Sequence, residues 1–219
     1  SQGNIYIAGT MGENALLDND ENLSEGSMMG YSAAFIAKLD PQGNLLWKKS
    51  IKNSHCDSYT NWMEIVRDTS IVLFANSYSP GGNNYMLWYL DTLIMGQYPN
   101  PPTYPLGGGS FSCFTTFDLN GNKQSEYFLR KRYYNLQGTL VEGGDLALNK
   151  LAPFHIDKNG YIYICLNITK SSDADTIKIV INDQKVFPLG DFSLQSNAWL
   201  LKFTPNFDLI WSKQIVRDT

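Results

Sequence analysis

Histidine and cysteine, the residues that most often mark a metal or nucleophilic site, are scarce in this 219-residue chain: two of the first and three of the second. Cys56, Cys113 and Cys165 are an odd number in a chain long enough to build its own core, which excludes a disulfide framework. Cys113 and Cys165 sit inside apolar runs and read as small core residues. His55 and His155 have no Cys, Asp or Glu set at ligand spacing, so no metal is expected. Positive charge is also short, with 17 Lys and Arg against 21 Asp and Glu and a net charge of −4, so a nucleic-acid partner is not expected. The triplet Arg130, Lys131 and Arg132 reads as the solvated end of a strand. No apolar run approaches the roughly 20 residues of a membrane span. No 3.6-residue periodicity is sustained, so no helix longer than about two turns is expected.

Signatures of catalysis are missing too. There is no Gly-x-Ser-x-Gly elbow and no Ser, His and Asp set that forms a triad. The glycines of "PLGGGS" (Pro105 to Ser110) neither precede a helix nor carry a Lys, so they cradle no phosphate. The acidic run "DNDENLSEG" (Asp18 to Gly26) has Leu23 where a calcium loop needs Gly and Met29 where it needs Glu, which excludes an EF-hand. It reads as a solvated loop. No catalytic residue, no metal ligand and no cofactor is therefore assigned.

What the chain does have is repetition, within a composition (43% hydrophobic, 17% charged) suited to a soluble protein with a real core. "AFIAKLDPQGNLLWKKSI" (Ala34 to Ile51) and "AWLLKFTPNFDLIWSKQI" (Ala198 to Ile215) align without a gap, and "SCFTTFDLNGNKQSEYFL" (Ser112 to Leu129) is a weaker third copy. Each reads as an alternating strand, a tight turn and a return strand, which is a β-hairpin. Upstream of each lies a related strand: "GNIYIAG" (Gly3 to Gly9), "SIVLFAN" (Ser70 to Asn76) and "GYIYICL" (Gly160 to Leu166). A further strand precedes the second and third of these, "NWMEIVRD" (Asn61 to Asp68) and "APFHIDKN" (Ala152 to Asn159).

The expected unit is four antiparallel strands with a long insertion between the second and third, and an extra hairpin is expected in the insertions around Tyr85 to Met95 and Thr176 to Ile181. Four-stranded units in series are the pattern of β-propeller blades. The expectation is an all-β chain of about three blades, residues 1–53, 54–135 and 136–219. Trp47 and Trp211, at one place on the outer strand, are expected to be largely buried against the next blade.

These segments resemble the β-propeller repeats of secreted and surface proteins of bacteria, especially Bacteroidetes, over nearly the whole chain. The second unit departs from the pattern with Ser125 in place of Trp, and the third with Phe207 in place of the turn Gly. The Asp-x-x-Gly-x-x-x-Trp arrangement also resembles the docking motif of quinoprotein-type propellers and of an outer-membrane assembly lipoprotein, but the long insertions here favour the surface-repeat family. The resemblance implies an exported, extracytoplasmic protein, at the cell surface, secreted or periplasmic. Two sequons, Asn22-Leu23-Ser24 and Asn167-Ile168-Thr169, fit that setting, as do Asp91-Thr92-Leu93 and Asp175-Thr176-Ile177, which resemble the O-glycosylation signal of Bacteroidetes.

Closed propellers have roughly four to eight blades. Three units, the first without its first strand, make an incomplete ring. The chain, which begins Ser1-Gln2 without a signal-peptide pattern, reads as a segment of a larger propeller, its terminal faces covered by further blades of a parent chain or by another subunit. Functionally it reads as a binding or structural module making protein or glycan contacts. Glu64 and His155, on first strands of neighbouring units, are the candidate binding residues of the channel face. The alternative is part of a propeller enzyme, such as a lyase, a glycosidase or a quinoprotein, with its site on that face.

Overall fold

A computed structural model describes residues 3–12, 16–17, 21–22, 32–53, 57–78, 87–89, 110–135, 137–145, 154–169, 176–181, 184–191 and 196–215. The described residues are all-β, with several antiparallel sheets and no helix. His55, Cys56, most of the acidic run after Asp18, and Asp91 to Leu93 lie outside them.

The repeated hairpins share one turn, dictated by a side chain that folds back on its own backbone. Asp40 Oδ1 accepts the amide hydrogens of Gln42 at 2.9 Å and Asn44 at 2.8 Å, while Oδ2 accepts Asn44 Nδ2 at 2.7 Å. Asp118 repeats this with Asn120 and Asn122. Asp157 takes the amides of Asn159 and Tyr161, Asn135 takes that of Thr139, and Thr204 does the same work through its hydroxyl. In all five, the fourth residue donates its N–H to the carbonyl of the first and has positive φ: Gly43, Gly121, Gly138, Gly160 and Phe207. A type I turn followed by a left-handed residue is a three-residue hairpin loop, and it fixes the register of both flanking strands.

The chain divides into two compact units, residues 1–109 with 114–126, and residues 110–113 with 127–219. In the first, β1 (Ile5–Met11), β4 (Ala33–Leu39), β5 (Leu45–Asn53) and β8 (Leu87–Tyr89) form a sheet in that order, while β2 (Leu16–Leu17) and β3 (Glu21–Asn22) pair between β1 and β4 in sequence. β6 (Asp57–Val66) and β7 (Ser70–Tyr78) form a hairpin, and the order continues from β7 to β9 (Ser110–Asp118) and β10 (Lys123–Tyr134). Both β9 and β10 carry residues of the two units. In the second unit, β12 (Phe154–Ile156), β13 (Ile162–Thr169), β16 (Ser196–Phe203) and β17 (Leu209–Ile215) form a four-stranded meander. β14 (Thr176–Ile181) and β15 (Lys185–Asp191) are inserted between β13 and β16 as a hairpin. The Leu129-to-Tyr134 stretch of β10 pairs with β14, and β11 (Leu140–Asp145) also pairs with β10. Of the insertion around Tyr85 only β8 is described, and it pairs with β5; the rest of the expected hairpin lies outside the described residues.

Burial separates the sheets. Along β7 the consecutive residues Ile71, Val72, Leu73, Phe74 and Ala75 are all buried, so both faces of that strand are covered, and Phe74 stacks on Phe114 with centroids 4.5 Å apart. Along β13, Ile162, Ile164 and Leu166 are buried while Tyr161, Tyr163 and Cys165 between them are only half-buried. β16 alternates likewise, with Trp199, Leu201 and Phe203 buried and Leu200 and Lys202 half-buried. One face of this last sheet carries its core and the other stays partly open.

Candidate functional site

Register places three side chains of the first sheet in a row. Tyr6 lies opposite Lys38, and Lys38 opposite Trp47, so all three project from one face. The Lys38 ammonium stands 5.4 Å from the Tyr6 ring centre, and the Tyr6 and Trp47 rings are 6.3 Å apart. The row ends on the turn between β9 and β10. Lys38 Nζ donates to the Leu119 carbonyl at 3.0 Å and Trp47 Nε1 donates to the same oxygen at 3.3 Å. The indole also covers Gly121, where an added Cβ would sit 3.0 Å from Trp47 Cδ2. Glycine is thus required there twice, for its φ of +83° and for the space.

The last sheet repeats the row. Tyr163 lies opposite Lys202 and Lys202 opposite Trp211, with the two rings 6.4 Å apart. His155 extends it by one strand: it pairs with Tyr163 and its ring stacks 6.2 Å away. Here the lysine turns to its own sheet, 4.4 Å from the Tyr161 ring and 5.0 Å from that of Tyr163. A hydrogen bond with Tyr163 raises the Lys202 pKa against its desolvation, with the nearby Tyr163 and Asp157 charges helping. Desolvation would raise Asp157, but the amides of Asn159 and Tyr161, the Tyr163 hydroxyl and Lys202 together hold it below the ordinary carboxylate value. Asn122 does the same for Asp118, and Asn44 for Asp40.

A cleft opens where β1 and β6 approach in the first unit. It has a volume of about 480 Å³ and is lined by Tyr6, Ile7, Ala8, Thr60, Trp62 and Met63. Thr60 holds its walls together, donating its hydroxyl to the Gly9 carbonyl at 2.7 Å and its N–H to Thr10 Oγ1 at 3.0 Å. Trp62 is 46% exposed, an unusual state for the largest apolar side chain. An aromatic wall with backbone and hydroxyl groups beside it suits the stacking of a sugar ring or an extended peptide.

Glu64 lies half-buried on β6 in the first unit, paired with Val72. His155 lies exposed on β12 in the second. Trp47 and Trp211 are both of intermediate exposure, neither fully buried nor open. Of these four residues, His155 and Trp211 share one row, through Tyr163 and Lys202. Sequence reasoning missed that row and the Trp62 cleft. The row could have been found by aligning Tyr6 with Tyr163 and Lys38 with Lys202 in the repeats; the cleft, a product of two strands far apart in sequence, left no such signal.

Cys113 is buried and Cys165 half-buried, and both are free thiols. Among the described residues no group of three or more His, Cys, Asp or Glu could hold a metal, and no helix is long and apolar enough to cross a membrane. Compared with protein-family models and with curated proteins, the chain finds no match.

Proposed function

We propose that the chain is a segment of a β-propeller from an exported bacterial surface protein, and that it serves as a binding or structural module contacting protein or glycan. The observation that carries this reading is the clamp of Lys38 and Trp47 on the Leu119 carbonyl and Gly121. It joins the hairpin strands of one repeat to the hairpin turn of the next, as packing of successive blades would. A compensating exchange supports it. The second copy has Ser125 where the first has Trp47, and the third has Phe207 where the second has Gly121. The ring missing from one strand reappears on the next turn, and Phe207 packs 4.5 Å from Tyr127.

The ligand surface in this reading is the cleft walled by Trp62 and Tyr6. Titrating the chain with oligosaccharides and with unstructured peptides, followed by tryptophan fluorescence, tests it. Saturable change that Trp62→Ala removes without altering the far-ultraviolet circular dichroism is expected. Binding that survives Trp62→Ala, or no binding in either series, would overturn the assignment of the cleft.

A further inference from the structure

Among the described residues the Tyr-Lys-Trp row occurs twice, and a described turn lies over the first occurrence but not the second. Lys38 and Trp47 share the Leu119 carbonyl and the indole covers Gly121. Lys202 and Trp211 instead meet groups of their own sheet, Tyr161, Tyr163 and Lys213, on the face of β13 and β16 that stays half-buried. The converse holds for the turns. Gly121 is filled by Trp47, and Phe207, 2% exposed, fills its own place in the third turn. Gly43 has the same bonds around it, a φ of +92° and nothing within 4 Å of where a Cβ would be. Among the described residues no turn lies over the second row, and two glycine turns, at Gly43 and Gly138, have open space at the Cβ position; of these, Gly43 sits in an Asp-x-x-Gly turn like the one that closes the first row.

We infer that Trp211 and Lys202 of one chain seat on the Asp40 to Asn44 turn of a second copy, head to tail, with the indole over Gly43 and both donors on the Pro41 carbonyl. The inference rests on the blade reading above. Pro41 stands in its turn where Leu119 stands in the second, one residue after an Asp whose side chain makes the same amide bonds. The second copy is a better occupant than the Phe207 turn, because a seat already holding a phenyl ring cannot take an indole. Pairing is also specific by the chain's own grammar: the second repeat, with Leu73, Thr116 and Ser125 along the row, precedes the turn that carries Phe207. A contact between the last sheet of one copy and the first sheet of another is heterologous, and such a contact forms a ring where its rotation closes.

Sedimentation velocity of the whole chain over a range of concentrations, with p-benzoyl-phenylalanine at position 211 as a photo-crosslinker, tests this. The expected result is a species of twice 24.7 kDa and a crosslink to the Pro41-to-Asn44 peptide of the other chain. Trp211→Ala is expected to weaken association about thirtyfold or more, as loss of a central tryptophan does. Gly43→Asn, which tolerates a left-handed backbone but fills the seat, is expected to do the same. A monomer at every concentration, or crosslinks elsewhere, overturns the inference. Trp47→Ala separates the two claims. If it lowers stability while the wild-type chain stays monomeric, only the self-association fails; if it costs nothing, the blade reading fails as well.

Discussion

Phe207 shows how one residue records a packing constraint. Its φ of +57° belongs to the region that glycine occupies in the four sister turns, and a side chain there costs about 1–2 kcal/mol. Its ring is 2% exposed, 5.7 Å from Phe203 and 4.5 Å from Tyr127, and removing such a buried ring costs about 3–5 kcal/mol. Burial outweighs strain. Phe207→Gly should therefore relax the turn yet destabilise the protein, by about 1–4 kcal/mol in urea unfolding. A neutral or stabilising result would show that the ring is not seated where the structure puts it. The same turn is held from outside: Lys185 reaches it from the inserted hairpin, donating to the Asn206 carbonyl at 2.6 Å and pairing with Asp208 at 2.7 Å, which lowers the Asp208 pKa.

The turns with an Asp in first place respond to pH. Asp40, Asp118 and Asp157 are all held below the ordinary value of 3.8, so each contributes stability that is present above that value and lost as pH falls through the lower folded one. The acid limb of unfolding should accordingly begin below about pH 4. Asn in place of Asp keeps an oxygen for the two backbone amides but does not titrate. In the variant Asp40→Asn, Asp118→Asn, Asp157→Asn, the urea midpoint is expected to fall less between pH 5 and pH 3 than in the parent. An unchanged slope would place the acid sensitivity elsewhere. These hairpins were the most legible part of the sequence, because Asp-x-x-Gly between alternating strands is local chemistry. β8 was not, since its pairing with β5 depends on a partner far along the chain.

At the scale of the molecule the order of strands followed from the repeat. β12, β13, β16 and β17 form the expected four-stranded meander with its hairpin insertion, and β6, β7, β9 and β10 follow the same order. What the repeat did not reveal was which faces are covered, since Tyr, Lys and Trp look alike in the first and third copies whether or not a turn lies over them. The proposal that the sheets are blades set about an axis predicts that neighbouring sheets diverge from first strand to fourth. Four strands spaced about 4.8 Å apart give that divergence room to be read with spin labels. After the three native cysteines are replaced, labels at the exposed residues Ile65 and His155 report on first strands, and labels at the exposed residues Gln124 and Ile210 report on fourth strands. Electron–electron resonance should find the second pair farther apart than the first by about 10 Å or more, as radiating blades require. Equal separations, as in sheets stacked in parallel layers, or a wider first pair, would contradict the propeller account.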